Sequence, residues 1–83
     1  MNFAVVVEVL GLEGMADPEG RTIERALPAL GFSGVSSVRV GKVIAFDLEA
    51  TDEGAARAAA EEMCARLLSN PVIQRAEVSI HSS

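Results

Sequence analysis

One cysteine, Cys64, and one histidine, His81, are all the chain offers for thiol or imidazole chemistry. A nucleophilic cysteine needs an electropositive, partly exposed setting. Cys64 instead falls among Met63, Leu67 and Leu68 on the apolar side of a helical pattern, where a small buried hydrophobe fits. A general base needs a rigid seat and an orienting partner. His81 stands two residues from the end, in a tail expected to fray. The carboxylates of Asp52-Glu53 and Glu61-Glu62 read as a helix start and a solvated helix face, and acidic groups at a helix start complement its dipole. Glu8, inside an apolar strand, reads as an outward position or a charge at a subunit interface. Gly34 to Gly41-Lys42 superficially suggests a phosphate loop, but that motif has four residues between its glycines and Ser or Thr after the lysine. Here six intervene and Val43 follows, so a hairpin turn explains the glycine. Arg39 and Lys42 remain candidates for binding an anion or an acidic partner patch. No catalytic, cofactor-binding or metal-ligating residue is assigned, because no cluster has metal spacing and no nucleophile–base pair is present.

Composition narrows the classes further. With 83 residues the chain has room for one domain, residues 1–83, and one core. A domain this small buries only about 60% of the surface its unfolded chain exposes, so self-association is the first expectation. A single cysteine excludes an internal disulfide. The net charge of −5 and the absence of Trp and Tyr argue against nucleic-acid binding, which rests on Lys/Arg and on stacking surfaces. No positive signal-peptide region and no membrane-length apolar run is present, which implies the cytoplasm.

The elements that would position any site emerge from periodicity. Asn2–Leu10 alternates as a strand, Val-rich enough to be central, with Phe3, Val5, Val7 and Val9 on one face. Asp17-Pro18 opens a helix, whose stripe is Ile23, Ala26, Leu27 and Leu30 and whose end is Gly31. Pro28 removes one helical bond and implies a kink or a tightened last turn. Gly34–Val40 reads as a strand, Gly41-Lys42 as a tight turn and Val43–Glu49 as a strand, together an antiparallel hairpin. Thr51 is the expected cap of a second helix, with Ala56, Ala59, Ala60, Met63, Leu67 and Leu68 buried. Its solvated side carries the pairs Arg57–Glu61 and Glu62–Arg66. Asn70-Pro71 ends it, and Val72–Ile80 is the last strand. The order βαββαβ is α+β: a ferredoxin-like two-layer sandwich, with an antiparallel sheet and both helices on one face. The other face must meet solvent or a second sheet, and sheet-to-sheet packing between subunits is the attractive option.

Three stretches together resemble one family. They are Asp17-Pro18-Glu19-Gly20-Arg21 through Leu30-Gly31-Phe32, then Val38-Arg39-Val40-Gly41-Lys42, then Met63-Cys64 through Asn70-Pro71-Val72-Ile73. Their sequence and order resemble the PurS family, the small subunit of bacterial and archaeal phosphoribosylformylglycinamidine synthase. Pro28 and the lysine-free loop Gly11–Ala16 depart from the family pattern. The resemblance implies a non-catalytic subunit in the fourth step of de novo purine synthesis. It would be a homodimer or homotetramer bridging a PurL-type synthetase, which carries ATP and magnesium, and a PurQ-type glutaminase. No cofactor is implied in this chain. Ammonia would pass between the partners' sites, which must be docked and shielded from water. The contact surface expected from the three stretches is Asp17, Arg21, Arg39, Gly41, Lys42, Asn70 and Pro71. The competing class is a small-molecule-sensing regulatory βαββαβ domain, which tight ligand binding by the isolated chain would reveal; a stand-alone enzyme would need a site not visible here.

Overall fold

Alternating burial along a Val-rich run builds β1 (Asn2–Gly11) as the middle strand of an antiparallel sheet in the computed structural model, which describes residues 1–82. Its neighbours are β2 (Gly41–Glu49) and β3 (Gln74–Ser82), in the order β2-β1-β3. Phe3, Val5, Val7 and Val9 are at most 2% exposed. Beside them in the ladders stand Ile44, Phe46 and Leu48 of β2 and Ala76, Val78 and Ile80 of β3. Each valine buried this fully contributes about 1.5–3 kcal/mol. The layer that covers them is α2 (Glu53–Met63), through Ala56 and Ala60, followed by Cys64. Alanine lets the helix backbone come close to the strands, which a small core requires.

Helix α2 starts one residue later than Thr51 suggests. Asp52 is the cap, its Oδ1 accepting from the Ala55 amide at 2.7 Å. The helix then continues in a π turn, Cys64–Leu68, closed by the Ser69 amide donating to the Cys64 carbonyl at 3.0 Å. A turn with this wider spacing adds a residue and rotates the positions after it. Leu68 therefore packs on the core while Leu67, expected to be buried, is 83% exposed. Asn70 makes the corner: its Oδ1 accepts from the Val72 amide and its carbonyl from the Ile73 and Gln74 amides. That corner delays β3 to Gln74, two residues beyond the expected start at Val72. The strand then runs past Ile80, and His81 pairs with Ala4 and Ser82 with Phe3. The end of the chain is therefore laddered through Ser82 where fraying was expected, because β1 is long enough to hold it; Ser83 lies outside the described residues.

Helix α1 (Pro18–Ala29) forms as its cap signals require, with Asp17 Oδ1 accepting from the Gly20 amide at 2.9 Å. Pro28 sits inside it, and the last turn tightens: Leu30 and Gly31 donate three residues back, to Leu27 and Pro28. Gly31 then takes a left-handed φ of 96°, which glycine adopts without penalty. The hairpin expected between Gly34–Val40 and Val43–Glu49 does not form. Residues 38–40 lead directly into β2, whose first residues Gly41 and Lys42 stand opposite Leu10 and Val9. The reason lies in the donors. Val38 N–H donates to Glu24 Oε1 and Val40 N–H to Asp17 Oδ2, both at 2.9 Å, so α1 takes the amides that a ladder would have used. The βαββαβ order and antiparallel sheet stand, with the second extended segment fastened to a helix and the sheet three-stranded.

This arm, α1 plus residues 31–40, packs little against the strands. The chain measures 51 × 27 × 14 Å with a radius of gyration of 16.2 Å. A compact chain of this length has a radius of about 12 Å. Ile23, Leu30, Phe32 and Val35, between 39% and 71% exposed, stay in solvent as a result.

Candidate interface groove

Where the arm leaves the sheet, an open groove of about 1090 Å³ forms between the β1–α1 loop, the start of α1, residues 37–40 and the start of β3. The loop is pinned by the Leu12 amide donating to the Ile73 carbonyl at 2.8 Å. Of the expected contact residues, Asp17, Arg21 and Arg39 meet here. Gly41 and Lys42 are instead the first rungs of β2. Pro71 lines a separate depression beside Cys64 and Ser69, while Asn70 is occupied in its corner. Three residues that periodicity did not single out complete the groove's construction. Gly20 is buried against Val38, Glu24 holds the Val38 amide, and Arg75 lines the groove from β3. Glu24 lies seven positions after Asp17, two helical turns along the same face, which is the signal that pairs them.

The groove's charges divide into engaged and unengaged groups. Asp17 spends both carboxylate oxygens on backbone amides. The Val40 amide, then the Gly20 amide, hold its carboxyl below the ordinary 3.8 against a smaller opposing effect of desolvation, and the charge of Arg39 adds to the lowering. A depressed folded-state value means that Asp17 stabilises the fold above its unfolded pKa and loses that contribution as pH falls through the folded one. Asp17→Asn is therefore expected to lower the urea midpoint at neutral pH and to flatten its fall below about pH 4, as a pH series of urea melts will show. By contrast, the side chains of Arg21, Arg39 and Arg75 make no ion pair or hydrogen bond among the described residues, unlike Arg57 with Glu61 and Arg66 with Glu62. Guanidinium groups presented in this way suit carboxylates or phosphates.

Elsewhere the side chains named for chemistry are placed structurally. Cys64 is buried in the core, and burial, then the Glu61 charge, pushes its thiol up, away from the reactive thiolate. His81 is held in β3 opposite Ala4. Among the described residues no group of three His, Cys, Asp or Glu side chains could hold a metal ion, and no helix is long and apolar enough to cross a membrane.

The family model described as "PurS: Phosphoribosylformylglycinamidine (FGAM) synthase" matches residues 4–82. The chain belongs to the PurS family. A PurS subunit of phosphoribosylformylglycinamidine synthase from Methanocaldococcus jannaschii is 44% identical over 68 residues, 82% of each chain. The crystal structure of PurS from that organism superposes with a TM-score of 0.85 at 37% identity, over 98% of both chains. A chain in the structure of PurLQS from Thermotoga maritima gives a TM-score of 0.88 at 32% identity, over 96% of this chain and 98% of that one. All three stretches that carry the PurS resemblance lie within the matched residues. The structure divides them by role: Asp17, Gly20, Gly41 and Asn70 build the arm, the first sheet rung and the corner. The side chains of Arg21, Arg39 and Lys42 make no hydrogen bond or ion pair among the described residues.

Proposed function

We propose that this chain is the non-catalytic small subunit of a phosphoribosylformylglycinamidine synthase, an adaptor that docks a PurL-type synthetase to a PurQ-type glutaminase. In this reading it assists the passage of ammonia between them, in the cytoplasm. ATP and magnesium belong to the synthetase, and the chain itself works as one unit without a cofactor. The observation that carries the reading is the arm. An amphipathic helix held off its own sheet, with Ile23, Leu30, Phe32 and Val35 exposed, is a surface built to be covered by protein. A second copy of the chain suits it, because an isologous contact buries the same apolar stripe twice. Self-association then displays every remaining surface in duplicate, which an adaptor can use to engage two larger subunits.

The partner contacts are assigned to Arg21 and Arg39 beside Asp17 in the groove, to the Gly41–Lys42 start of β2, and to the Asn70-Pro71 corner. Support comes from the family, from the Thermotoga maritima relative within PurLQS, and from the unengaged guanidinium groups. The test is reconstitution. Synthetase and glutaminase from the same organism, mixed with and without this chain, should show glutamine-dependent amidine formation only with it, while ammonia-dependent synthesis persists without it. Full glutamine-dependent turnover in its absence rejects the adaptor role.

A further inference from the structure

The sheet lacks a helix that the chain itself carries. Helix α2 lies over β3 and β1. Ile44, Phe46 and Leu48 of β2 share that face, in register with Val7, Val5 and Phe3, and stay only half-buried. The outer edge of β2 has no neighbouring strand among the described residues, so a row of backbone donors and acceptors is unpaired there. The arm holds the complement of both features. Ile23, Leu27 and Leu30 form one stripe along α1, with Ile23 39% and Leu30 71% exposed, and residues 34–40 have the pattern of a strand. Little keeps the arm out. It packs little against the strands, and two side-chain acceptors, Asp17 Oδ2 and Glu24 Oε1, fasten residues 38–40 to α1. Ser37, just before them, has a left-handed φ of 57°, which a residue with a Cβ adopts at a cost and an extended strand does not require.

We propose that the arm is a strap that closes on its own sheet when the chain is alone. Closed, α1 lays its stripe on Ile44, Phe46 and Leu48, and residues 34–40 pair with the outer edge of β2. The turn between them is Gly41-Lys42, since glycine in the first central position suits a two-residue hairpin. Gly41 thus serves both forms, by close approach to Val9 in the open one and as a turn in the closed one. The closed form is the four-stranded ferredoxin-like sandwich. Residues 12–16 span up to about 17 Å when extended, enough to carry the start of α1 across the roughly 10 Å between packed layers. A tethered segment meets its own sheet at an effective concentration of about millimolar, so in dilute solution the chain's own arm outcompetes a neighbour's. Dilution therefore closes the strap and association opens it, both through one apolar stripe, and exchange of that element between copies links the two forms. Closure goes beyond the adaptor role and takes from it only that copies of the chain associate.

The experiment uses the full chain with Cys64→Ala, so that only introduced thiols react, and with Arg25→Cys on α1 and Glu49→Cys at the far end of β2. Both introduced sites are exposed. A donor–acceptor pair is attached there, and the labelled chain is mixed at trace level into unlabelled chain from micromolar to picomolar concentration. Energy transfer within one chain and its hydrodynamic size are read together. Transfer should rise as the size falls to that of a single chain. The midpoint concentration should move up by about fivefold or more in Glu24→Ala, which frees the Val38 amide from the open arm. It should move down by about as much in Ser37→Gly, because glycine adopts the left-handed φ of the open form freely. A single chain whose transfer stays at its associated value overturns closure. A chain that remains associated at the lowest concentration overturns it too, since its own arm then never competes. Midpoints that move in the same direction in both variants reflect overall stability and reject the competition. Reconstitution that succeeds without this chain rejects the adaptor role and leaves closure standing.

Discussion

Gly20→Ala should destabilise the protein, although the same change inside an ordinary helix stabilises it. Alanine gains up to about 1 kcal/mol over glycine in a helix interior. At Gly20 the added Cβ would stand 2.7 Å from the Val38 carbonyl oxygen and 2.6 Å from Asp17 Oδ2. Neither neighbour can yield freely. The Val38 amide is bonded to Glu24 and the Asp17 carboxylate to two amides, so any shift breaks the bonds that seat residues 38–40 on α1. Overpacking of this kind costs about 1–3 kcal/mol, which outweighs the propensity gain. The urea midpoint should fall, and hydrogen exchange at the Val38 and Val40 amides should accelerate more than at the β1 amides. Gly54→Ala is the matched control. Its Cβ would meet only Asp52 Oδ1 at 3.4 Å, an ordinary contact, so the change should stabilise by a few tenths of a kcal/mol up to about 1. A Gly20→Ala protein as stable as Gly54→Ala would mean that α1 does not hold residues 38–40 through these bonds.

Gly41→Ala should be at least as damaging, and for a different reason. A Cβ there would fall on the Val9 carbonyl oxygen and the Leu10 side chain. Gly41 is the rung opposite Leu10, where the extended segment leaves the arm and joins the sheet. The clash is with the backbone of the central strand, whose Val9 is 1% exposed and fixed by the core. Relief therefore requires the start of β2 to peel from β1. The expected cost is again about 1–3 kcal/mol, with protection lost at Lys42 and Val43 before the far end of the strand near Leu48. Binding to the partner subunits should fall along with stability, since the same residues join the groove to the sheet.

Several features were legible in the residues before any coordinates. The two-residue period of Asn2–Leu10 marks a strand, and its Val-rich run marks that strand as central, as the order β2-β1-β3 has it. Asp17-Pro18 and Gly31 bounded α1, since caps depend on local geometry alone. The exposed ion pairs of α2 came from helical spacing. A local signal misleads where it has two structural solutions. Gly41 resembles a turn glycine, but its role is close approach to β1, and close approach is a property of two segments. Leu67 keeps helical spacing with Ala60, yet a π turn between them turns it outward.

What local chemistry determines in this chain is therefore where its segments begin and end, which faces are apolar, and, through three stretches of residue types, its family resemblance. Tertiary structure alone decided which donors meet which acceptors across long separations. Asp17 reaches Val40 and Glu24 reaches Val38, and these two carboxylates convert an expected hairpin into an arm. The same holds for charge. Glu8 and Glu77 are 69 positions apart in the sequence and become neighbours only through strand register. Periodicity shows the face on which each side chain lies, but the residue opposite it is set by pairing, and pairing is a property of the folded chain.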